Sequence, residues 1–139
     1  MELSYSTAVL YLRDHPTLKA LDDIEFHFPV PIGSLLSLTA TVVYADPTSS
    51  HFQVSVKADV ISARKGTRET TNTLYFTYKA AASSQRGVGS EGSENVDRSV
   101  PATTMVRRVL PVTDEESMAY IQGKRHKQLA MEMARIGAA

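Results

Sequence analysis

The sequence predicts an α+β domain, with an antiparallel sheet packed against helices. Three features carry this. Between Asp22 and Ala80 apolar residues recur with a period of two in long runs parted by short turn signals. Ahead of these runs lies a stretch without Gly or Pro, from Glu2 to about Arg13. After them, Thr113 followed by Glu116 reads as a capping box opening a last helix.

Taken in order, Leu3, Thr7, Ala8, Val9, Leu10, Tyr11 and Leu12 suit a largely buried helix. Asp14, His15 and Pro16 stop it, because the residue before a proline is pushed out of the helical region. Thr17 to Leu21 is expected to be a connector. From Asp22, Ile24, Phe26 and Phe28 alternate with Glu25 and His27 as a half-buried strand, ended by Pro29 and Pro31, and Gly33 permits a sharp turn. Ser34 to Tyr44 alternates again, with Leu36, Leu38, Ala40 and Val42 on one face. Asp46, Pro47 and the hydroxyl residues after them form a turn. His51 to Ser62 is the next strand, with Phe52, Val54, Val56, Ala58 and Val60 on one side. Lys65 and Gly66 then read as a two-residue hairpin turn leading into a strand from Thr67 to Ala80. Three long strands joined by short turns make a meander. Residues 83–99 are rich in Gly, Ser and charge and are expected to form a mobile loop or insertion. Met105 to Leu110 reads as a short strand or extended return. The last helix, placed over 113–135, puts Met118, Ile121, Leu129 and Met133 on one stripe, with Gly123 weakening its middle. A sheet of three or four strands has open edges, which calls for an oligomer that extends it.

With 139 residues the chain is one domain long, and 42% apolar with 22% charged residues is the composition of a globular protein. Fifteen basic and fifteen acidic residues cancel, which argues against nucleic-acid binding. The chain holds no Cys, so disulfides, thiolate metal sites and a cysteine nucleophile are excluded. No apolar run reaches the length of a membrane span, and the first residues lack the features of a targeting segment.

Few residues carry a chemical signal. Glu2 is a carboxylate in the first turn of the first helix. Such a group ordinarily partners the helix dipole; the sharper role is general base or nucleophile. His15, His27, His51 and His126 show no metal-ligand spacing, and His27 falls on the solvent side of its strand. No GxSxG, GxGxxG or P-loop pattern occurs, and GVGSEG at 87–92 is not followed by a helical pattern. Arg64, Lys65 and Arg68 flank the hairpin; Lys124, Arg125 and Lys127 sit on the last helix; Arg107 and Arg108 form a weaker pair. Each group is a solvated face or a docking point for a phosphorylated small molecule.

Several stretches together resemble a known family. DDIEFHFPVPIGSLLSLTATVVY (residues 22–44), TTNTLYFTY (70–78), LPVTDEESMAYIQGKRH (110–126) and ELSYSTA at the start resemble, in order, the second module of the mitochondrial two-module acyl-CoA thioesterases, the acyl-coenzyme A thioesterase 9 type. The resemblance implies a hot-dog fold, a long antiparallel sheet curled around a central helix, here with an added C-terminal helix. It further implies hydrolysis of acyl-CoA at sites between paired modules, coenzyme A as part of the substrate, no separate cofactor and no metal. Glu2 takes the place of the helix carboxylate, Arg64, Lys65 and Arg68 lie where a hairpin end meets the CoA phosphates, and Asn72 belongs to the TTN strand as a CoA contact or a sheet-edge hydrogen bonder. The expected partners are acyl-CoA and either a second copy or another hot-dog module, and the expected location is mitochondrial. The family places a first strand and a Gly-Gly turn ahead of this helix. The chain begins at Met1 and Glu2, so it reads as a single module, residues 1–139, lacking the first strand. Hot-dog modules also serve as acyl-CoA binders without catalysis, or as dehydratases. A dehydratase wants a helix histidine, which is missing before His15.

Overall fold

The computed structural model describes residues 1–81 and 105–137. In chain order it contains helix α1 (Glu2–Leu12), strands β1 (Thr17–Phe26), β2 (Leu35–Asp46), β3 (His51–Ser62) and β4 (Thr67–Lys79), and helix α2 (Asp114–Gly137). The expected loop at 83–99, with its glycine-rich 87–92 stretch, lies outside the described residues.

The four strands form one antiparallel sheet in the order β1-β4-β3-β2. The β2–β3–β4 meander is the one the alternation predicts. Strand β1 is longer than expected. Thr17 to Leu21, read as a connector, is its first half: Thr17 pairs with Lys79 and Leu18 with Tyr78. Local pattern hides this half because the register shifts at Ala20 and again at Asp23, which breaks the period of two. β1 and β2 end up as opposite edges of the sheet, so the Pro-rich segment between them crosses the sheet end instead of closing a hairpin.

The β3–β4 turn also differs from expectation. Four residues, Ala63 to Gly66, join Ser62 to its partner Thr67, and Gly66 donates its N–H to the Ser62 carbonyl at 2.8 Å. Gly66 has φ +64, where a side chain would be strained. Met105 to Thr113 has no regular secondary structure, yet Val106 is buried in the core.

Alternation along β3 and β4 gives the sheet two unlike faces. One carries Phe52, Val54, Val56, Leu74, Phe76 and Tyr78 and receives α1, whose Ser4, Ala8 and Leu12 are buried at intervals of four. Fully burying side chains such as Phe52 and Val54 supplies about 1.5–3 kcal/mol each. The helix is less buried than its apolar composition suggests, since Leu3, Tyr5 and Leu10 are exposed. It ends at Arg13, which adopts a left-handed conformation and donates its N–H to the Val9 carbonyl at 2.7 Å.

The opposite face of the sheet carries Gln53, Ser55, Lys57, Asp59, Tyr75 and Thr77 and receives α2. The capping box is present as predicted. Glu116 N–H donates to Thr113 Oγ1 at 3.2 Å, and Glu116 Oε2 accepts from the N–H of Val112 and Thr113 at 2.8 and 3.1 Å. These backbone donors, Val112 first, hold the Glu116 carboxyl below its usual value.

The seating of α2 reverses the expectation from its apolar stripe. Met118, Ile121, Leu129 and Met133 are exposed, while Gly123 is the buried residue of the helix. A Cβ built on Gly123 would stand 2.7 Å from Tyr44 Cβ and 2.8 Å from Gln53 Oε1. The glycine is therefore the point of closest approach between helix and sheet. Around it Tyr120 packs on Tyr44, His126 stacks on Tyr75, and Lys127 binds Asp46 and Ser49.

Candidate active site

Glu2 is the first residue of α1. It is exposed, and it has no hydrogen-bond or ion-pair partner among the described residues. The first-turn N–H groups of a helix have no intrahelical acceptor, so Glu2 lies beside a set of free donors. Two residues on, Ser4 anchors the helix start. Its hydroxyl donates to the Met1 carbonyl at 2.7 Å and shares a 2.8 Å hydrogen bond with the buried Tyr78 hydroxyl. Burial pushes the Tyr78 phenol up, and the Ser4 bond opposes that in part.

Along both edges of the same sheet face, apolar side chains stay open. Leu18, Leu21, Ile24 and Phe26 of β1 and Leu36 and Leu38 of β2 are all exposed, Phe26 by 75%. Exposed apolar side chains grouped along a sheet edge mark a binding or pairing site. Asn72 belongs to this face, opposite Ala58 and Phe26. Its Oδ1 is buried with no hydrogen-bond partner among the described residues.

Arg68 sits on the other face. Its guanidinium donates to Asp59 Oδ2 at 2.6 Å and to Ser37 and Thr39 at 3.3 and 3.5 Å. Burial would raise the Asp59 carboxyl, but hydrogen bonds from Thr70 and Arg68 and the guanidinium charge outweigh it and hold the group below its usual value. This network floors a cavity of about 660 Å³ beneath Val109 to Val112, and Lys57 spans it to reach Glu115 at 3.1 Å. Sequence reading missed Asp59, Thr70 and Lys57 as a group. The available signal was their common outward register on β3 and β4.

The five sequence-predicted residues do not converge in one copy of the chain. Arg64 and Lys65 are exposed in the β3–β4 turn, with Arg68 close behind on the outer face. Asn72 points to the helix face. Glu2 lies near Ser4, which meets Tyr78, ten residues along β4 from Arg68. At about 3.3 Å per strand residue, that is roughly 33 Å away. The remaining basic residues are dispersed as well. Lys127 is engaged with Asp46, Lys124 and Arg125 are exposed, and the Arg107 carbonyl accepts from Tyr11. The four histidines are scattered, and no group of metal-ligating side chains forms among the described residues. No described helix is long and apolar enough to cross a membrane.

No family model matches the chain. It is 32% identical over 125 residues to the human mitochondrial acyl-coenzyme A thioesterase 9, a match covering 90% of the chain and 23% of that protein. The chain thus spans about a quarter of the length of the curated relatives it matches first. Among solved structures, the acyl-CoA hydrolase of Staphylococcus aureus, seen with butyryl coenzyme A and coenzyme A, superposes with a TM-score of 0.73 at 19% identity. That match covers 99% of this chain and 72% of the other. An apo-hexameric acyl-CoA thioesterase superposes with a TM-score of 0.70 at 20% identity, covering 96% and 74%. The fold is the hot-dog fold, and the resemblance to acyl-coenzyme A thioesterase 9 extends over nine-tenths of the chain.

Proposed function

We propose that the chain is a module of an acyl-CoA thioesterase that hydrolyses fatty acyl-CoA to a fatty acid and CoA, and that it works only when paired with a second copy or another hot-dog module. The observation that carries this is the separation of Glu2 from Arg64, Lys65 and Arg68 to opposite ends of a sheet whose two edge strands, β1 and β2, are unpaired among the described residues. A two-fold pairing along one edge brings the hairpin of one module toward the helix start of the other. The likeness to named thioesterases and to a hexameric neighbour supports both parts of this reading.

In the paired site the open apolar side chains along the paired edge receive the acyl chain, and the hairpin bases meet the CoA phosphates. Glu2 accepts a proton from water as it attacks the thioester carbonyl, or attacks the carbonyl itself to give an anhydride that water then opens. Either way the C–S bond breaks and CoA leaves as a thiolate that takes up a proton. The free N–H groups of the first turn hold the developing oxyanion. Coenzyme A enters as substrate, and the chemistry needs no further cofactor. A mitochondrial location is part of the proposal, and the relatives' names support it.

The second reading is a module that binds acyl-CoA or completes an assembly without catalysis. It is favoured by the exposure of Glu2 and by the lack of any described side chain orienting its carboxylate. Release of CoA thiol from short-, medium- and long-chain acyl-CoA, by the chain as it stands and by Glu2→Gln, separates the two. Turnover lost on substitution supports catalysis through Glu2. Turnover that survives it assigns the chemistry elsewhere, and acyl-CoA binding without turnover supports the second reading.

A further inference from the structure

α2 presents two different faces. At about 100° per residue, Ala119, Tyr120, Gly123, His126 and Lys127 share the side that docks on the sheet, and apart from Ser117 in the first turn these are its buried and half-buried residues. On the opposite side Met118, Ile121, Arg125, Leu129, Glu132 and Ile136 fall within an arc about 80° wide. All six are exposed, Leu129 by 58% and Ile136 by 74%. Their spacing of three, four, four, three and four is that of a helix-pairing seam. The apolar side of this helix therefore faces away from its own domain.

The charges on the seam point to what covers it. Between Met118 and Ile136 its charged members are Arg125 and Glu132, opposite in sign and two turns apart, and Asp114 lies on the same side one turn ahead. Against an identical helix running parallel, each would meet its own kind, which is unfavourable. Against an identical antiparallel helix, Arg125 of each copy meets Glu132 of the other. The same register sets Ile121 against Ile136 and leaves Leu129 beside the two-fold axis. We propose that the outer seam of α2 is a homotypic docking surface, occupied by the same seam of a second copy in antiparallel register and closed by two reciprocal Arg125–Glu132 pairs. This contact is separate from the sheet-edge pairing invoked above and does not depend on any catalytic reading. With both contacts in use, dimers joined at a strand edge assemble further through their helices.

Sedimentation of the full chain across a range of concentrations tests this, with circular dichroism confirming that each variant is folded. Arg125→Glu and Glu132→Arg should each weaken self-association about tenfold or more, and the double charge swap should restore it. Because the chain has no cysteine, Leu129→Cys should oxidise readily to a disulfide dimer, whereas Met118→Cys should not. A chain that stays monomeric at every concentration, or associates equally well with either single charge reversal, overturns the proposal. So does equal cross-linking at positions 118 and 129.

Discussion

Gly123→Ala puts the seating of α2 to a direct test, because two effects of opposite sign compete there. Helix propensity favours alanine over glycine by about 1 kcal/mol in a helix interior. If α2 merely lay on solvent, the substitution would raise stability by that amount. The structure predicts the reverse. The new Cβ would stand 2.7 Å from Tyr44 Cβ and 2.8 Å from Gln53 Oε1, closer than real Cβ atoms approach. Tyr44 belongs to an edge strand and is itself pinned by Tyr120, so the helix must lift. Overpacking of this kind costs about 1–3 kcal/mol. Moving the helix also loosens the Tyr75–His126 stack and the contacts of Lys127 with Asp46 and Ser49. The expected net effect is a loss of about 0.5–2 kcal/mol, read as a lower urea midpoint followed by circular dichroism at a helical wavelength. A bulkier Gly123→Leu should cost more and lower the helical signal before unfolding. A Gly123→Ala protein more stable than the parent would refute the close packing of α2 on Tyr44 and Gln53.

Two further outcomes follow from the buried polar contacts. Arg68→Ala strands the Asp59 carboxylate. The loss should be about 1–2 kcal/mol, below that of a fully buried pair because the guanidinium keeps half its surface in water. Since Asp59 is held below its usual value in the folded state, its contribution is complete above the ordinary carboxylate range near pH 4. It fades as pH falls through the lower folded value, so acid-unfolding curves of Arg68→Ala should lack that part of the acid limb. Ser4→Ala leaves the Tyr78 hydroxyl buried without its partner and should cost about 1–2 kcal/mol, much of it recovered in Ser4→Ala with Tyr78→Phe; additive losses in the double variant would argue against the bond.

The sequence by itself determined what depends on near neighbours along the chain. Alternation at Phe52, Val54 and Val56 and at Leu74, Phe76 and Tyr78 settled two strands and their inward faces, because side chains on a strand alternate whatever lies beyond it. The Thr113–Glu116 box and the stop at Pro16 settled helix ends by hydrogen bonds and sterics that span a few residues. Residue identity singled out Glu2 and the cluster of Arg64, Lys65 and Arg68, and the family resemblance gave them roles and added Asn72. Tertiary structure decided the rest. Thr17 to Leu21 becomes a strand only because β4 offers it an edge, across register shifts that erase its local period. Gly123 reads as a flaw in a helix until Tyr44 and Gln53 arrive beneath it. The stripe of Met118, Ile121 and Leu129 looks like a core face, yet the sheet takes the side with the smallest residue, where backbone can come closest. The sites of chemistry were separated in the same way. A strand carries successive side chains to opposite faces and residues ten apart to opposite ends, so Arg68, Asn72 and the helix start at Tyr78 can share one β4 strand without sharing one ligand.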